Sequence, residues 1–151
     1  MVGRDPLNVP TVRRRVTIPA DLDRLAELRA AVRDMAERWD ATPDCKGDLV
    51  QAIDEAATNI IRYGYRGEPG EIEMTADLDG DDIVVTLLDR APEFDPLAVP
   101  SPDLSIPPLR RRPGGMGIHL MRVSTDSLEH RPRPGGGNIL TLTRSRRAKE
   151  G

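Results

Sequence analysis

Cysteine is almost missing from this chain. Cys45 is the only one in 151 residues, so no internal disulfide can brace the fold, and a reducing cytoplasm is the expected setting. Aromatics are scarce too: Trp39, Tyr63, Tyr65 and Phe94 are all there are, which leaves core formation to Leu, Ile, Val and Ala. No apolar run approaches the roughly 20 residues of a membrane-spanning helix, and the N-terminus has no signal-like apolar segment. Positive charge is not in excess. With 22 Lys and Arg against 25 Asp and Glu, the formal net charge is -3, which argues against broad nucleic-acid binding. There is no internal repeat and no metal-type Cys/His spacing. What remains, a chain 38% hydrophobic and 151 residues long, suits a single domain spanning 1–151, with 1–12 and 145–151 expected as loose tails.

Arg13–Pro19 is expected to form a short edge strand. Over Asp21–Asp40, Leu22, Leu25, Leu28, Val32, Met35 and Trp39 recur at helical spacing, with Asp21 as N-cap. Thr42-Pro43 should open a second helix, a capping residue followed by proline at the first helical position. It is expected to run to about Tyr63, with Cys45, Leu49, Ile53, Ala56, Ile60 and Tyr63 buried. Glu71–Leu78 alternates polar and apolar residues, Asp79-Gly80 signals a turn, and Ile83–Leu88 is a nearly continuous apolar strand ending at Asp89. Pro92–Pro113 is proline-rich and aperiodic, as in lids and binding loops. Gly117–Val123 reads as a short helix, and Ser127–Arg131 with Asn138–Arg144 as a closing hairpin. The order predicts a two-layer α/β sandwich: a mixed, mainly antiparallel sheet with helices on one face.

Three local features carry chemistry. Glu55 and Asn59 lie four apart, hence on one helix face, at the rim of the apolar stripe rather than its centre. A solvated helix flank is the plain alternative. At a cleft, a neutral amide oxygen suits Mg²⁺ and a carboxylate suits a general base. Asp89 ends the most apolar strand, just before the proline-bounded Arg90–Pro96. It is either a turn residue or an acceptor for an exocyclic amino group such as that of adenine. Phe94 is expected to anchor this turn to the core. Gly114-Gly115-Met116-Gly117 precedes a helix whose free N–H groups and close backbone approach favour an anion, and Arg110–Arg112 stand just before it. His119 and His130 read as structural, and Cys45 as a buried, inert thiol.

Taken in order, these boxes resemble a known family. ExxxN on a helix, DRAPEFDP after an apolar strand, a lid and GGMGIHLM are similar to the GHKL ATPase superfamily of histidine kinases and gyrase, and most similar to its anti-sigma factor serine/threonine-protein kinases. The resemblance covers roughly Val16 to Arg144. It implies a Bergerat-type ATP-binding fold, ATP and Mg²⁺ as cofactors, Glu55 as general base, Asn59 as magnesium ligand and Asp89 as adenine-recognising carboxylate. It further implies that Gly115, Met116 and Gly117 hold the phosphates and that a lid arginine such as Arg112 reaches them. Ala91 departs from the glycine common after the adenine-binding aspartate, and an alanine there is expected to narrow the pocket. Asn138 stands where threonine is frequent and is left unassigned.

The implied function is a cytoplasmic anti-sigma factor that phosphorylates a STAS-type antagonist and binds a sigma factor, usually as a homodimer, with no direct contact to nucleic acid or membrane. The alternative is a non-catalytic ATP-binding module that sequesters a partner. An ATP hydrolase of the same fold is a weaker third, because the extra transducer domains of such proteins are missing here.

Overall fold

The computed structural model describes residues 14–98, 105–107 and 116–147. Strand β1 (Arg14–Pro19) is followed by a 3₁₀ turn (Leu22–Arg24), helix α1 (Leu25–Arg38), helix α2 (Pro43–Asn59) and a π-helical turn (Ile60–Gly64). Then come β2 (Glu71–Asp79), β3 (Asp82–Asp89), a 3₁₀ turn (Pro96–Ala98), α3 (Met116–Ser124), β4 (Ser127–Pro132) and β5 (Asn138–Ser145). The sheet order is β1-β2-β3-β5-β4. All four ladders are antiparallel, so the sheet is simpler than the mixed one expected.

Alternation along the strands decides the layering. Ile72, Met74 and Ala76 of β2, Ile83, Val85 and Leu87 of β3, and Leu140 and Leu142 of β5 are buried, while the residues between them are half-exposed or exposed. The buried set forms one core with Leu28, Val32 and Met35 of α1, Leu49 and Ile53 of α2 and Met121 of α3. That is the one-sided burial of a two-layer sandwich.

Both caps sit where the sequence puts them. The Asp21 carboxylate accepts from the Asp23 N–H at 2.9 Å, and the Thr42 hydroxyl accepts from the Cys45 N–H at 3.1 Å, with Pro43 at the first helical position. Two helix details differ. The first helix opens as a 3₁₀ turn that leaves Leu22 41% exposed. The second ends its α-helical part at Asn59, where the chain widens into a π turn closed by the Tyr65 N–H on the Ile60 carbonyl. The five-residue repeat shifts the phase of the side chains, burying Ile61 and turning Tyr63 out to 49% exposure, so Tyr63 does not belong to the buried stripe.

The C-terminal residues up to Arg147 are tied down rather than loose. The Thr42 N–H donates to the Arg146 carbonyl, the Arg146 N–H donates to the Asp81 carbonyl, and the Asp81 carboxylate pairs with the guanidinium groups of both Arg146 and Arg147. The expected tails at 1–12 and 148–151 lie outside the described residues.

The register places Asp89 opposite Asn138 at the end of the β3/β5 ladder. Gly137 allows this pairing. Its φ is +116°, and a Cβ there would land on the Asp89 carbonyl oxygen. Gly137→Ala is therefore expected to cost roughly 2–4 kcal/mol, or roughly 5–15 °C in Tm. An unchanged thermal unfolding curve would mean that the two strands meet differently at this end.

Candidate functional site

Helix α2 lies between α1 and α3, and its flank toward α3 carries Glu55 and Asn59, both half-buried. Gly117 in the first turn of α3 sits directly over them. A Cβ on Gly117 would lie 2.6 Å from Glu55 Oε2 and 3.9 Å from Asn59 Nδ2. Only a residue without a side chain lets the α3 backbone come this close with Glu55 in place. Burial, and after it the neighbouring Asp54 carboxylate, push the Glu55 carboxyl above the ordinary glutamate value, while Arg62 opposes the shift. Asp54 itself is paired with Arg29 of α1 at 2.6 Å. Met116 opens α3. Gly115 and Arg112 lie outside the described residues.

From Asn59 a narrow hollow runs to Asp89, walled by Ile60, Gly64, Phe94, Met121, His130, Asn138 and Leu140. Asp89 is only 2% exposed. Its Oδ1 accepts from the Ala91 N–H and from Asn138 Nδ2, each at 2.9 Å. Its Oδ2 receives no hydrogen bond from the described residues and stays available as an acceptor. Burial pushes the Asp89 carboxyl above the ordinary aspartate value, against the two hydrogen bonds that lower it. A carboxylate with one satisfied and one open oxygen at the end of an apolar-walled hollow is suited to a ligand N–H donor.

Three residues differ from their sequence expectation. Phe94 does not anchor its turn in the core. It is half-buried on the wall of the hollow, its ring 6.3 Å from that of Tyr63. His130 is held as a structural residue would be, its ring meeting Asn138, but it also lines the hollow. Ala91 is not among the residues of that wall. It is buried, and the position of its methyl explains why the facing Gly64 has no side chain: a Cβ on Gly64 would lie 3.1 Å from it. The added methyl is accommodated by a glycine across the contact. Asn138, left unassigned from the sequence, is the hub of the Asp89 end. A polar residue following three glycines at a strand start was the signal available, but its partner across the sheet was not.

Against this geometry the comparisons are consistent. The sequence profile of the histidine kinase-like ATPase domain matches residues 18–144. The chain belongs to that family. It is 28% identical over 116 residues to an anti-sigma F factor of Thermoanaerobacter sp. (strain X514), covering 77% of this chain and 81% of that one. It is 30% identical over 117 residues to an anti-sigma F factor of Clostridium beijerinckii, covering 76% and 80%. With the serine-protein kinase RsbW of Bacillus thuringiensis subsp. konkukian it shares 28% over 116 residues, covering 74% and 72%. A solved structure of the RsbU and RsbW domains of Rv1364c from Mycobacterium tuberculosis superposes with a TM-score of 0.63 at 22% identity. That match covers 90% of this chain and 33% of the other, and speaks for the fold.

The upward shift at Asp89 has a sign. An acid whose folded pKa is raised holds its proton longer in the folded state, so stability falls as pH rises through that pKa. Asp89→Asn removes this burden above it and keeps an oxygen for Ala91 and Asn138. The expected result at pH 7 is a Tm equal to or above wild type. A clear fall in Tm would make Asp89 a structural residue.

Proposed function

We propose that this chain is an anti-sigma factor with ATP-dependent serine/threonine kinase activity toward a STAS-type antagonist, acting in the cytoplasm and regulating transcription by partner switching. One observation carries the reading: Asn59 and Asp89 line one hollow, and Gly117 of α3 comes down onto Asn59 and the neighbouring Glu55. The curated relatives bear the names of anti-sigma F factors and serine-protein kinases, which supports the class of partner.

The residues fit a magnesium nucleotide. The open Oδ2 of Asp89 suits the exocyclic amino group of adenine. Gly117 brings the first turn of α3, with its free N–H groups, onto the flank that carries Asn59, whose amide oxygen suits Mg²⁺. No group of three or more His, Cys, Asp or Glu that could hold a metal is present among the described residues, and in the proposed complex phosphates and water would supply most of the magnesium shell. When bound, ATP supplies the γ-phosphoryl group and Mg²⁺ neutralises charge developing on it.

The chain's own part is positioning and proton transfer. Asp89 fixes the base, and the first turn of α3 holds the phosphates over α2. Glu55 takes the proton of the antagonist's Ser or Thr hydroxyl as that oxygen bonds to the γ-phosphorus and ADP leaves. The raised affinity of Glu55 for a proton suits this role. Gly115, Met116 and Arg112 complete the phosphate side of the proposal. A sigma factor is the second protein partner, and a homodimer the proposed assembly. Ala91 packs away from the wall of the hollow, so it does not stand against nucleotide binding.

Glu55→Ala is expected to lower phosphoryl transfer about 10²–10⁴-fold while leaving ATP binding nearly intact. Asn59→Ala and Asp89→Ala should weaken binding itself. Transfer of labelled phosphate to a purified antagonist, beside calorimetric ATP titration, separates these effects; equal rates in Glu55→Ala and wild type would remove the general-base role. Gly117→Ala should keep the fold but displace Glu55, lowering transfer more than binding. Equal transfer in Gly117→Ala and wild type would mean that its approach to Glu55 does not set the position of the base.

A further inference from the structure

Asp89 does not hold its orientation alone. Asn138 donates from Nδ2 to Asp89 Oδ1 at 2.9 Å and to the Pro92 carbonyl at 3.2 Å. Both are acceptors, so the amide must be turned this way. Its Oδ1 then faces the donors: the Phe94 N–H at 2.9 Å and His130 Nε2, also at 2.9 Å. His130 Nε2 therefore carries a hydrogen. The other ring nitrogen, Nδ1, lies 3.6 Å from Asp95 Oδ1, within ion-pair range but too long for a strong hydrogen bond. The His130 side chain is only 5% exposed.

Two carboxylates act on this ring, Asp95 from the turn and Asp89 from β3. From β5 come Asn138 and the register partner Leu140, and Met121 of α3 lines the same hollow. Asp95 Oδ1 also accepts from the Leu97 N–H at 2.8 Å, and the Leu97 carbonyl accepts from Arg122 Nη2 of α3 at 2.8 Å. Polar contacts thus lead from Asp89 through Asn138, His130, Asp95 and the Leu97 backbone to the helix whose first turn covers Glu55.

We infer that His130 is a positioning residue for the nucleotide site and that its imidazolium form holds Asn138, and through it Asp89, in the orientation that receives the base. With both nitrogens protonated, the ring donates to Asn138 Oδ1 and attracts Asp95. Losing the proton from Nδ1 turns a lone pair toward the Asp95 carboxylate. Losing it from Nε2 sets a lone pair against Asn138 Oδ1, and the amide no longer has a reason to present Nδ2 to Asp89. Either loss loosens the turn over residues 92–98 and the Asp89 end of the hollow. Nucleotide affinity is accordingly higher with the ring doubly protonated than with it neutral. This rests on the reading of Asp89 as the base-recognising carboxylate.

The test is calorimetric titration of ADP with Mg²⁺ between pH 5.5 and 8.5 on wild type, His130→Gln and Asp95→Asn. Glutamine keeps a donor toward Asn138 but has no proton to lose, and the titration of ADP itself is common to all three proteins. The ratio of wild-type to His130→Gln affinity should fall about fivefold across this range, the worth of roughly one net hydrogen bond. Asp95→Asn, on an exposed residue that the fold tolerates if His130→Gln does not, should flatten the wild-type slope in the same way. Ratios that stay constant with pH for both variants, with ADP still bound, would overturn the role of His130 and leave the nucleotide site standing. No ADP binding by wild type at any pH would overturn the site itself and this inference with it.

Discussion

A carboxylate that is 2% exposed must take its hydrogen bonds from the protein or give up its charge. Asp89 takes two on one oxygen, from the Ala91 backbone and from Asn138, and the rest of the site is arranged around that half-satisfied group. The bond to Asn138 requires β3 and β5 to end in register. The register requires the chain to enter β5 through a backbone conformation that only Gly137 tolerates beside the Asp89 carbonyl. The same amide gathers the Phe94 N–H and the His130 ring, so the wall of the hollow and the orientation of its terminal acceptor are set by one side chain.

The opposite end obeys a different constraint. Glu55 and Asn59 project from the last turns of α2, just before its hydrogen bonds widen into the π turn. The widened turn ends at Gly64, against the Ala91 methyl, and Tyr65 follows. The Tyr65 hydroxyl donates to the Glu71 carbonyl and accepts from the Arg90 N–H, so the end of α2 is bound to the strands flanking Asp89. The absence of a side chain at Gly117 brings α3 over Glu55 from the other side. The Asp89 end of the hollow therefore depends on the close backbone approach at Gly137, while at Gly117 the α3 backbone comes against the tip of the Glu55 side chain.

Several features were legible because they are local. The caps at Asp21 and Thr42, the turn at Gly80, the alternation of β2 and the four-residue spacing of Glu55 and Asn59 are fixed by backbone geometry within a few neighbours. The phase change after Asn59 was not legible, because a π turn is chosen by what the end of the helix packs on, and it moved Tyr63 from the expected core to the surface. Phe94 was misread for a related reason: a lone aromatic near a turn looks like an anchor until its surroundings are known.

Periodicity and spaced motifs along the chain were enough to set the order of the elements, the two-layer arrangement and the family, together with the positions of Glu55, Asn59, Asp89 and Gly117. Three-dimensional packing was needed to bring Asn138 and His130 to Asp89, to seat Ala91 on Gly64, and to clamp Asp81 between Arg146 and Arg147. Asp89 and Asn138 are 49 positions apart. Their meeting depends on strand register and on the packing of helices that lie between them in sequence, and no pattern confined to one segment encodes that distance.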